Sequence, residues 1–170
     1  TGTALARLAG GLAVMDHDSK EEPLARSRQQ MQDHYDGLLA KGKIKAEIAQ
    51  AALSRAQTTT RYGDLADCDL LIEAVFEDMT VKEAVFRELD AVAKPGAILA
   101  TNTSRLDVNA IAGFTRRPQD VLGLHFFSPA QIMKLLEVVR ADATGADVIA
   151  SAQALARRIR KLPVVSGVCD

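Results

Sequence analysis

The sequence of 170 residues is 48% hydrophobic and 25% charged, a composition typical of one globular domain with a sizeable core. Its 21 basic and 22 acidic residues leave a formal charge of −1, so we expect neither nucleic acid nor an anionic membrane as its principal partner. No run approaches the roughly 18 apolar residues of a membrane-spanning helix, and Cys68 and Cys169 have neither metal-type nor disulfide-framework spacing.

The first part of the chain predicts helices around two short strands. Residues 1–9 are helix-like, with neither a starting methionine nor a strand before them, so we expect an N-terminally truncated domain. An apolar run at residues 12–15 predicts a strand that ends in Asp16. Apolar spacing then predicts two helices and a strand, at residues 19–40, 44–53 and 57–59.

The rest of the chain predicts alternating strands and helices. Residues 70–75 form an apolar run typical of a parallel strand covered on both faces, and an amphipathic helix follows at residues 79–92. The later predicted elements are a strand at 97–100, a helix at 108–112, strands at 121–127 and 135–140, a helix at 146–160 and a strand at 164–165. This order predicts an α/β fold of Rossmann type, with a doubly wound, largely parallel sheet and a hairpin where Ser128 and Pro129 turn the chain.

Two residues near the N-terminus are candidates for binding a dinucleotide. Such folds hold the pyrophosphate on a glycine-rich turn before the first helix, and Gly2 could belong to that turn or be an ordinary helix-start glycine. Asp16 follows an apolar run, where a carboxylate can bind the adenosine ribose and disfavour the 2′-phosphate of NADP. A loop aspartate or a helix N-cap is the alternative, and Asp18 competes with Asp16 for either role.

Polar residues also follow two of the predicted strands in the second half of the chain. Asn102 and Ser104 come directly after a strand, where ligands of such folds bind, although both could instead cap the next helix. Glu77 and Lys82 flank the start of the helix after residues 70–75, and exposed surface charge is their ordinary explanation.

A histidine and a glutamate on the two strands of the predicted hairpin form the strongest chemical candidate. His125 ends one strand beside two phenylalanines, and Glu137 lies in an otherwise apolar run where an unpaired buried carboxylate would be costly. If the hairpin forms, Glu137 can reach the imidazole, orient it and stabilise its protonated form, as an acid–base pair requires. The alternatives are a core histidine, or an ion pair that only holds the hairpin together.

Five segments, taken in their order and spacing, resemble the 3-hydroxyacyl-CoA dehydrogenase family. They are LIEAVFED at residues 71–78, VK at 81–82, NTS at 102–104, LHFFSP at 124–129 and MKLLEVV at 133–139. The resemblance implies that His125 is the catalytic histidine, Glu137 its partner, and Ser104 a catalytic residue that contacts substrate and nicotinamide. It further implies a set of NAD-binding residues: Gly2, Asp16, Glu77, Lys82, Asn102 and Ser104.

The resemblance also implies the setting of the domain. Ser128, expected with Ser104 to contact substrate, stands where the stand-alone mitochondrial type has asparagine, so the chain is more similar to bacterial and peroxisomal multifunctional enzymes fused behind an enoyl-CoA hydratase domain. Residues 1–170 would be the NAD-binding domain without the helical domain for dimerisation and substrate binding, and inactive alone. We expect bacterial cytoplasm as the location, or mitochondrion or peroxisome in a eukaryote.

The expected reaction is the oxidation of an L-3-hydroxyacyl-CoA to the 3-oxoacyl-CoA in fatty-acid β-oxidation, with NAD as cofactor and no metal. The full-length protein is expected to be a homodimer acting on acyl-CoA. Two other functions remain open at this point: a dinucleotide-binding module without catalysis, because a fold alone does not guarantee chemistry, and a dehydrogenase of another 3-hydroxy acid.

Overall fold

The order of elements along the chain follows the predicted alternation of helices and strands. The computed structural model describes residues 2–168. These residues form two compact units, the first made of residues 2–61 and 128–132 and the second of residues 62–127 and 133–168.

The first unit contains three helices and a two-stranded parallel sheet. Its elements are α1 (Gly2–Ala9), β1 (Val14–His17), α2 (Glu21–Ala40), α3 (Ala46–Leu53) and β2 (Ala56–Thr59). The strands pair in parallel from Val14 opposite Ala56 to His17 opposite Thr59. Apolar side chains of α1, α2 and α3 pack with Val14 in one core, because each helix buries a single apolar face.

The strand before Asp16 lies two residues later than the sequence predicts. Gly11 has a φ of +75°, which ends α1 and leaves Leu12 in the connection, so that the first paired residue is Val14. Asp16 is therefore the third residue of β1 and does not follow it. Helix α2 likewise begins at Glu21 and not at residue 19, because Lys20 is still extended.

The second unit contains a five-stranded sheet covered by helices. Its elements are β3 (Leu70–Glu73), α4 (Met79–Val92), β4 (Ile98–Thr101), α5 (Val108–Ala112), β5 (Val121–Phe126), β6 (Leu135–Arg140), α6 (Ala146–Arg158) and β7 (Leu162–Gly167), with single 3-10 turns at Tyr62–Leu65 and Pro118–Asp120. The strand order is β3-β4-β5-β6-β7, and each pair is parallel except the antiparallel β5 and β6. The predicted Rossmann-type α/β fold is confirmed.

Local chemistry explains the unit of β3, α4 and β4. Asp78 begins α4, where its side chain accepts a hydrogen bond from the Val81 N–H at 3.0 Å. Gly96, with a φ of +78°, turns the chain into β4. Residues 99–101 of β4 are all buried, as expected for a parallel strand with neighbours on both sides.

The antiparallel pair of β5 and β6 forms the predicted hairpin. Gly123 lies opposite Val139 and His125 opposite Glu137, and directly opposed residues of an antiparallel pair project from the same face. Strands β4 and β5 are parallel, with Thr101 opposite Gly123, so the residues after Thr101 and the end of β5 lie at one edge of the sheet. That edge carries the candidate site in this unit.

Candidate active site

A histidine–carboxylate pair lies at the end of β5. The Nδ1 of His125 is 2.7 Å from Oε2 of Glu137, so the predicted contact is confirmed. The side chains are 18% and 38% exposed, and His125 is therefore not a fully buried core residue. Because an ionised carboxylate can only accept hydrogen bonds, Nδ1 carries the proton and Nε2 is left to exchange one with a ligand.

The ring of Phe127 packs against the imidazole of His125. The two ring centroids are 4.4 Å apart and the ring planes are tilted by 42°. His125 is thus held both by the carboxylate on β6 and by an aromatic ring two residues along its own chain. The two phenylalanines after His125 do not by themselves predict which ring makes this contact, because side-chain direction at the end of a strand is set by the turn that follows.

Glu77 holds the loop after β4, which contains Ser104. Its Oε1 accepts hydrogen bonds from the Ser104 N–H at 2.9 Å, the Arg105 N–H at 3.3 Å and the Thr103 hydroxyl. The Ser104 Oγ lies 3.4 Å from the same oxygen, at the limit of a hydrogen bond, and Ser104 is exposed. This hydroxyl is therefore available to a ligand at the sheet edge.

The electrostatics of Glu77 favour its charged form. Partial burial acts to raise its pKa, but the hydrogen bonds from the Thr103 hydroxyl and the Ser104 N–H, the charge of Lys82 and the Arg105 N–H together lower it. The net result is a pKa below the ordinary value. Glu77 is a carboxylate at neutral pH, as its role as acceptor for the loop requires.

Lys82 is buried, and the explanation that it is surface charge is wrong. Its side chain is 1% exposed, and its Nζ lies 2.8 and 2.9 Å from the two carboxylate oxygens of Glu73. The same ammonium group lies 3.5 Å from Oε2 of Glu77.

Glu73, the partner of Lys82, was missed by the sequence analysis. Glu73 is the last residue of an apolar strand, and Glu137 lies within another apolar strand. Because an unpaired buried carboxylate is costly in free energy, the sequence predicts a partner for Glu73 as it does for Glu137.

Asn102 joins the loop after β4 to the end of β5. Its Oδ1 accepts a hydrogen bond from the Phe126 N–H at 2.8 Å, and its own N–H donates to the Glu73 carbonyl at 2.8 Å. The alternative that Asn102 or Ser104 caps the next helix is wrong, because Asp107 caps α5 by accepting from the Asn109 N–H. Asn102 therefore connects the loop that carries Ser104 to the strand that carries His125.

The first unit carries three of the predicted site residues. Asp16 accepts a hydrogen bond at Oδ2 from the Ser27 hydroxyl of α2 at 2.5 Å, whereas Asp18 accepts one from the Lys20 N–H at 3.0 Å. Neither aspartate is the N-cap of α2, which is Lys20. Gly2 begins α1, where an added Cβ would lie 3.2 Å from Oε1 of Gln131. Ser128 is exposed in the chain that follows β5.

Residues 2–168 contain neither a metal-type cluster nor a membrane-spanning helix. No group of three or more His, Cys, Asp or Glu side chains is placed to hold a metal ion within this range. None of the helices that the structure describes combines the length and the apolar character needed to span a membrane.

Comparison with known proteins gives one consistent result. Residues 1–169 match the family model described as 3-hydroxyacyl-CoA dehydrogenase, NAD binding domain. The chain is 42% identical over 166 residues to a peroxisomal bifunctional enzyme of Danio rerio, covering 98% of this chain and 22% of the relative. It is 35% identical over 168 residues to a fatty acid oxidation complex subunit alpha of Psychrobacter arcticus, covering 99% of this chain and 23% of the relative.

A solved structure supports the same relationship. The 3-hydroxybutyryl-CoA dehydrogenase of Escherichia coli superposes with a TM-score of 0.96 at 36% identity, covering 98% of this chain and 35% of that one. The chain thus spans about a fifth to a third of the length of these relatives. With the family model matched over nearly all its residues, the chain belongs to the family of NAD-binding domains of 3-hydroxyacyl-CoA dehydrogenases.

Proposed function

We propose that this chain carries the NAD-binding domain of a dehydrogenase that oxidises L-3-hydroxyacyl-CoA to 3-oxoacyl-CoA in fatty-acid β-oxidation. The observation that carries the proposal is the 2.7 Å contact of His125 Nδ1 with Glu137, because it leaves Nε2 as a base at the edge of the sheet. An arrangement of this kind suits proton transfer to and from an alcohol.

His125 acts as the general base. Its Nε2 takes the proton of the 3-hydroxyl group, and the ring then carries a positive charge that the Glu137 carboxylate stabilises through the Nδ1–H hydrogen bond. The carboxylate also keeps the ring in one tautomer and one orientation, and the contact with Phe127 limits its rotation. In the reverse reaction the imidazolium returns the proton to the 3-oxo oxygen.

Ser104 binds the reacting oxygen of the substrate. Its hydroxyl is exposed, and the loop that carries it is fixed by three hydrogen bonds to Glu77. A hydroxyl donor at this position would hold the substrate oxygen and support the charge that develops on it as the proton leaves. Ser128, also exposed, is a second residue that we assign to substrate binding.

The residues present fit the cofactor that the family binds. NAD, when bound, supplies the acceptor for the hydride that leaves C3. In the first unit, Asp16 presents a carboxylate oriented by Ser27, and Gly2 begins a helix whose first turn contains no acidic residue, which suits a pyrophosphate. In the second unit, we assign Glu77, Asn102 and Ser104 to the cofactor, with Lys82 behind them.

The setting of the domain is part of the proposal. Relatives bear the names of a peroxisomal bifunctional enzyme and of a fatty acid oxidation complex subunit, which supports a place in a multifunctional protein of a bacterium or a peroxisome. We further propose that the complete protein is a homodimer, a state that sedimentation analysis would test.

An absorbance assay tests the proposed function. The complete protein that carries this chain should increase absorbance at the reduced-nicotinamide band when supplied with L-3-hydroxybutyryl-CoA and NAD, and much less with NADP. Longer 3-hydroxyacyl-CoA substrates and free 3-hydroxybutyrate are tested beside it. Turnover of the free acid but not of the thioester would indicate a different 3-hydroxy acid dehydrogenase, and NAD binding without turnover of either would indicate a module without catalysis.

A further inference from the structure

Two ion pairs of the second unit share Lys82 and so form one connected chain of charges behind the loop that carries Ser104. The Lys82 ammonium group contacts Glu73 at 2.8 Å and Glu77 at 3.5 Å. Glu73 has a 0% exposed side chain, whereas Glu77 is 29% exposed and faces the loop after β4. One cation therefore connects a fully buried carboxylate with a partly exposed one.

Glu73 is fixed by more than Lys82. Its Oε1 accepts a hydrogen bond from the Val75 N–H at 2.6 Å, and its Oε2 accepts one from the Thr101 hydroxyl at 2.8 Å. These contacts anchor Glu73 to the ends of β3 and β4. Because this anchor is buried and hydrogen-bonded to both strand ends, the position of the Lys82 ammonium group is set by the sheet.

Lys82 in turn fixes Glu77. A carboxylate on a connecting loop would normally sample several rotamers, and an ammonium group held at one place restricts them by direct attraction. In the orientation that results, one oxygen of Glu77 accepts hydrogen bonds from the Thr103 hydroxyl and from the N–H groups of Ser104 and Arg105. The loop that presents the Ser104 hydroxyl is therefore built on Glu77.

We infer that Lys82 is a positioning residue, which uses the buried Glu73 as an anchor to hold Glu77 and, through Glu77, to set the place of the Ser104 hydroxyl. With a side chain that is 1% exposed and engaged by two carboxylates, Lys82 acts behind the loop. The inference rests on the proposed function of Ser104, and it adds a positioning role to the NAD-binding role that the family resemblance implies for Lys82.

The test uses a variant in which the buried charges are removed together. Lys82→Met alone would leave Glu73 buried without a cation, which can prevent folding, so Glu73→Gln with Lys82→Met is the main variant. The matched control is Glu83→Gln with Arg87→Met, which removes an exposed ion pair from the same helix α4. Both double variants are made in the complete protein.

Hydrogen exchange gives a readout that does not depend on activity. In the Glu73→Gln/Lys82→Met variant we expect exchange of the Ser104 and Arg105 amides to increase about tenfold or more, since an ordered loop becomes locally open. Amides of β6 and the control variant should be unchanged. Unchanged protection at Ser104 and Arg105 in the folded main variant would overturn the inference.

Kinetics test whether Lys82 acts through Ser104. We expect kcat to fall about tenfold or more, since a misplacement of about 1 Å can cost about 100-fold, and NAD binding to weaken with it, because Glu77 and Ser104 are also assigned to the cofactor. Adding Ser104→Ala to the main variant should cost much less than Ser104→Ala costs alone. Fully additive costs would contradict the inference, because they would show that Lys82 and Ser104 act independently.

The two proposals fail in different ways. If the unchanged protein turns over no 3-hydroxyacyl-CoA, the proposed function fails, while the exchange experiment still decides whether Lys82 and Glu73 order the loop. If the unchanged protein is active but the main variant keeps both its kcat and its loop protection, only the inference about Lys82 fails.

Discussion

The Oδ1 of Asn102 accepts a hydrogen bond from the Phe126 N–H at 2.8 Å, and this contact ties the loop after β4 to the strand that carries His125. His125 lies on β5, and Ser104 lies in the loop that follows the parallel neighbouring strand β4. This amide oxygen therefore supports the relative placement of base and hydroxyl in addition to the pairing of β4 with β5.

Asn102→Ala should lower both stability and turnover. Loss of the acceptor leaves the partly buried Phe126 N–H without its partner, at a cost of about 1–2 kcal/mol in the free energy of unfolding. Asn102→Asp keeps an oxygen at this position and serves as the matched variant. Urea unfolding and kcat are measured for both, and equal losses for alanine and aspartate would show that the accepted hydrogen bond is not the cause.

Glu137→Gln should remove most of the turnover without unfolding the protein. The amide can still contact Nδ1 of His125, but it lacks the negative charge that stabilises the imidazolium, so kcat should fall by about 100-fold or more. Steady-state kinetics measure the effect, and Glu88→Gln on the exposed side of α4 is the control. A normal kcat of the Glu137→Gln enzyme would show that the contact between His125 and Glu137 only holds β5 and β6 together.

Asp16 and Asp18 make different predictions for cofactor binding. Asp16→Asn should weaken NAD binding about tenfold or more, because hydrogen bonds from ribose hydroxyls to a charged group are stronger than those to an amide. Asp18→Asn should leave the dissociation constant nearly unchanged, because that carboxylate accepts from the Lys20 N–H in the turn before α2. Calorimetric titration with NAD compares the two, and the reverse ranking would move the ribose contact to Asp18.

Asp90 predicts a loss of stability in acid. Burial acts to raise its pKa, but hydrogen bonds from the Arg116 N–H and guanidinium and from the Arg117 guanidinium outweigh burial, so the pKa lies below the ordinary value of 3.8. A carboxyl group whose pKa is lowered by folding stabilises the protein fully above its unfolded pKa and loses that contribution as the pH falls through the folded pKa.

The measurement for Asp90 is the free energy of unfolding as a function of pH. Asp90→Asn should cost about 2 kcal/mol at pH 7, and the difference from the unchanged protein should decrease below pH 3.8. The exposed Asp142→Asn variant controls for the general loss of a carboxylate in this unit. A difference between Asp90→Asn and the unchanged protein that does not vary with pH would show that the charge of Asp90 is irrelevant.

The periodicity of apolar residues predicted nearly every helix and strand, because most helices bury one face and most strands bury one or both faces. Helix α4 occupies the predicted residues 79–92, and β6 the predicted residues 135–140. Strand β1 was misplaced by two residues because Leu12 and Ala13 continue its apolar run, although they lie in the connection between the left-handed Gly11 and the first residue of the strand, Val14. Apolar character alone does not distinguish a connection from a strand end.

The contacts of the candidate site could be predicted where burying an unpaired charge would cost free energy, because such a charge needs a partner. They could not be predicted where they depend on the direction of a side chain. An isolated carboxylate among apolar residues predicted the contact of Glu137 with His125. Glu73 is likewise a carboxylate at the end of an apolar run. Its partner Lys82 was interpreted as an exposed surface charge, so the buried ion pair of the two residues was not predicted. The contact of Phe127 with His125 depends on the turn after β5, which no local pattern specifies.

The most direct test of the account is the turnover of His125→Ala in the complete protein, measured with L-3-hydroxybutyryl-CoA and NAD beside the dissociation constant of NAD. The account predicts that kcat falls by about 100-fold or more, as expected when a general base is removed, while NAD binding stays within about twofold. Normal turnover by a folded His125→Ala protein would contradict it, because the proton of the 3-hydroxyl group would then leave by another route.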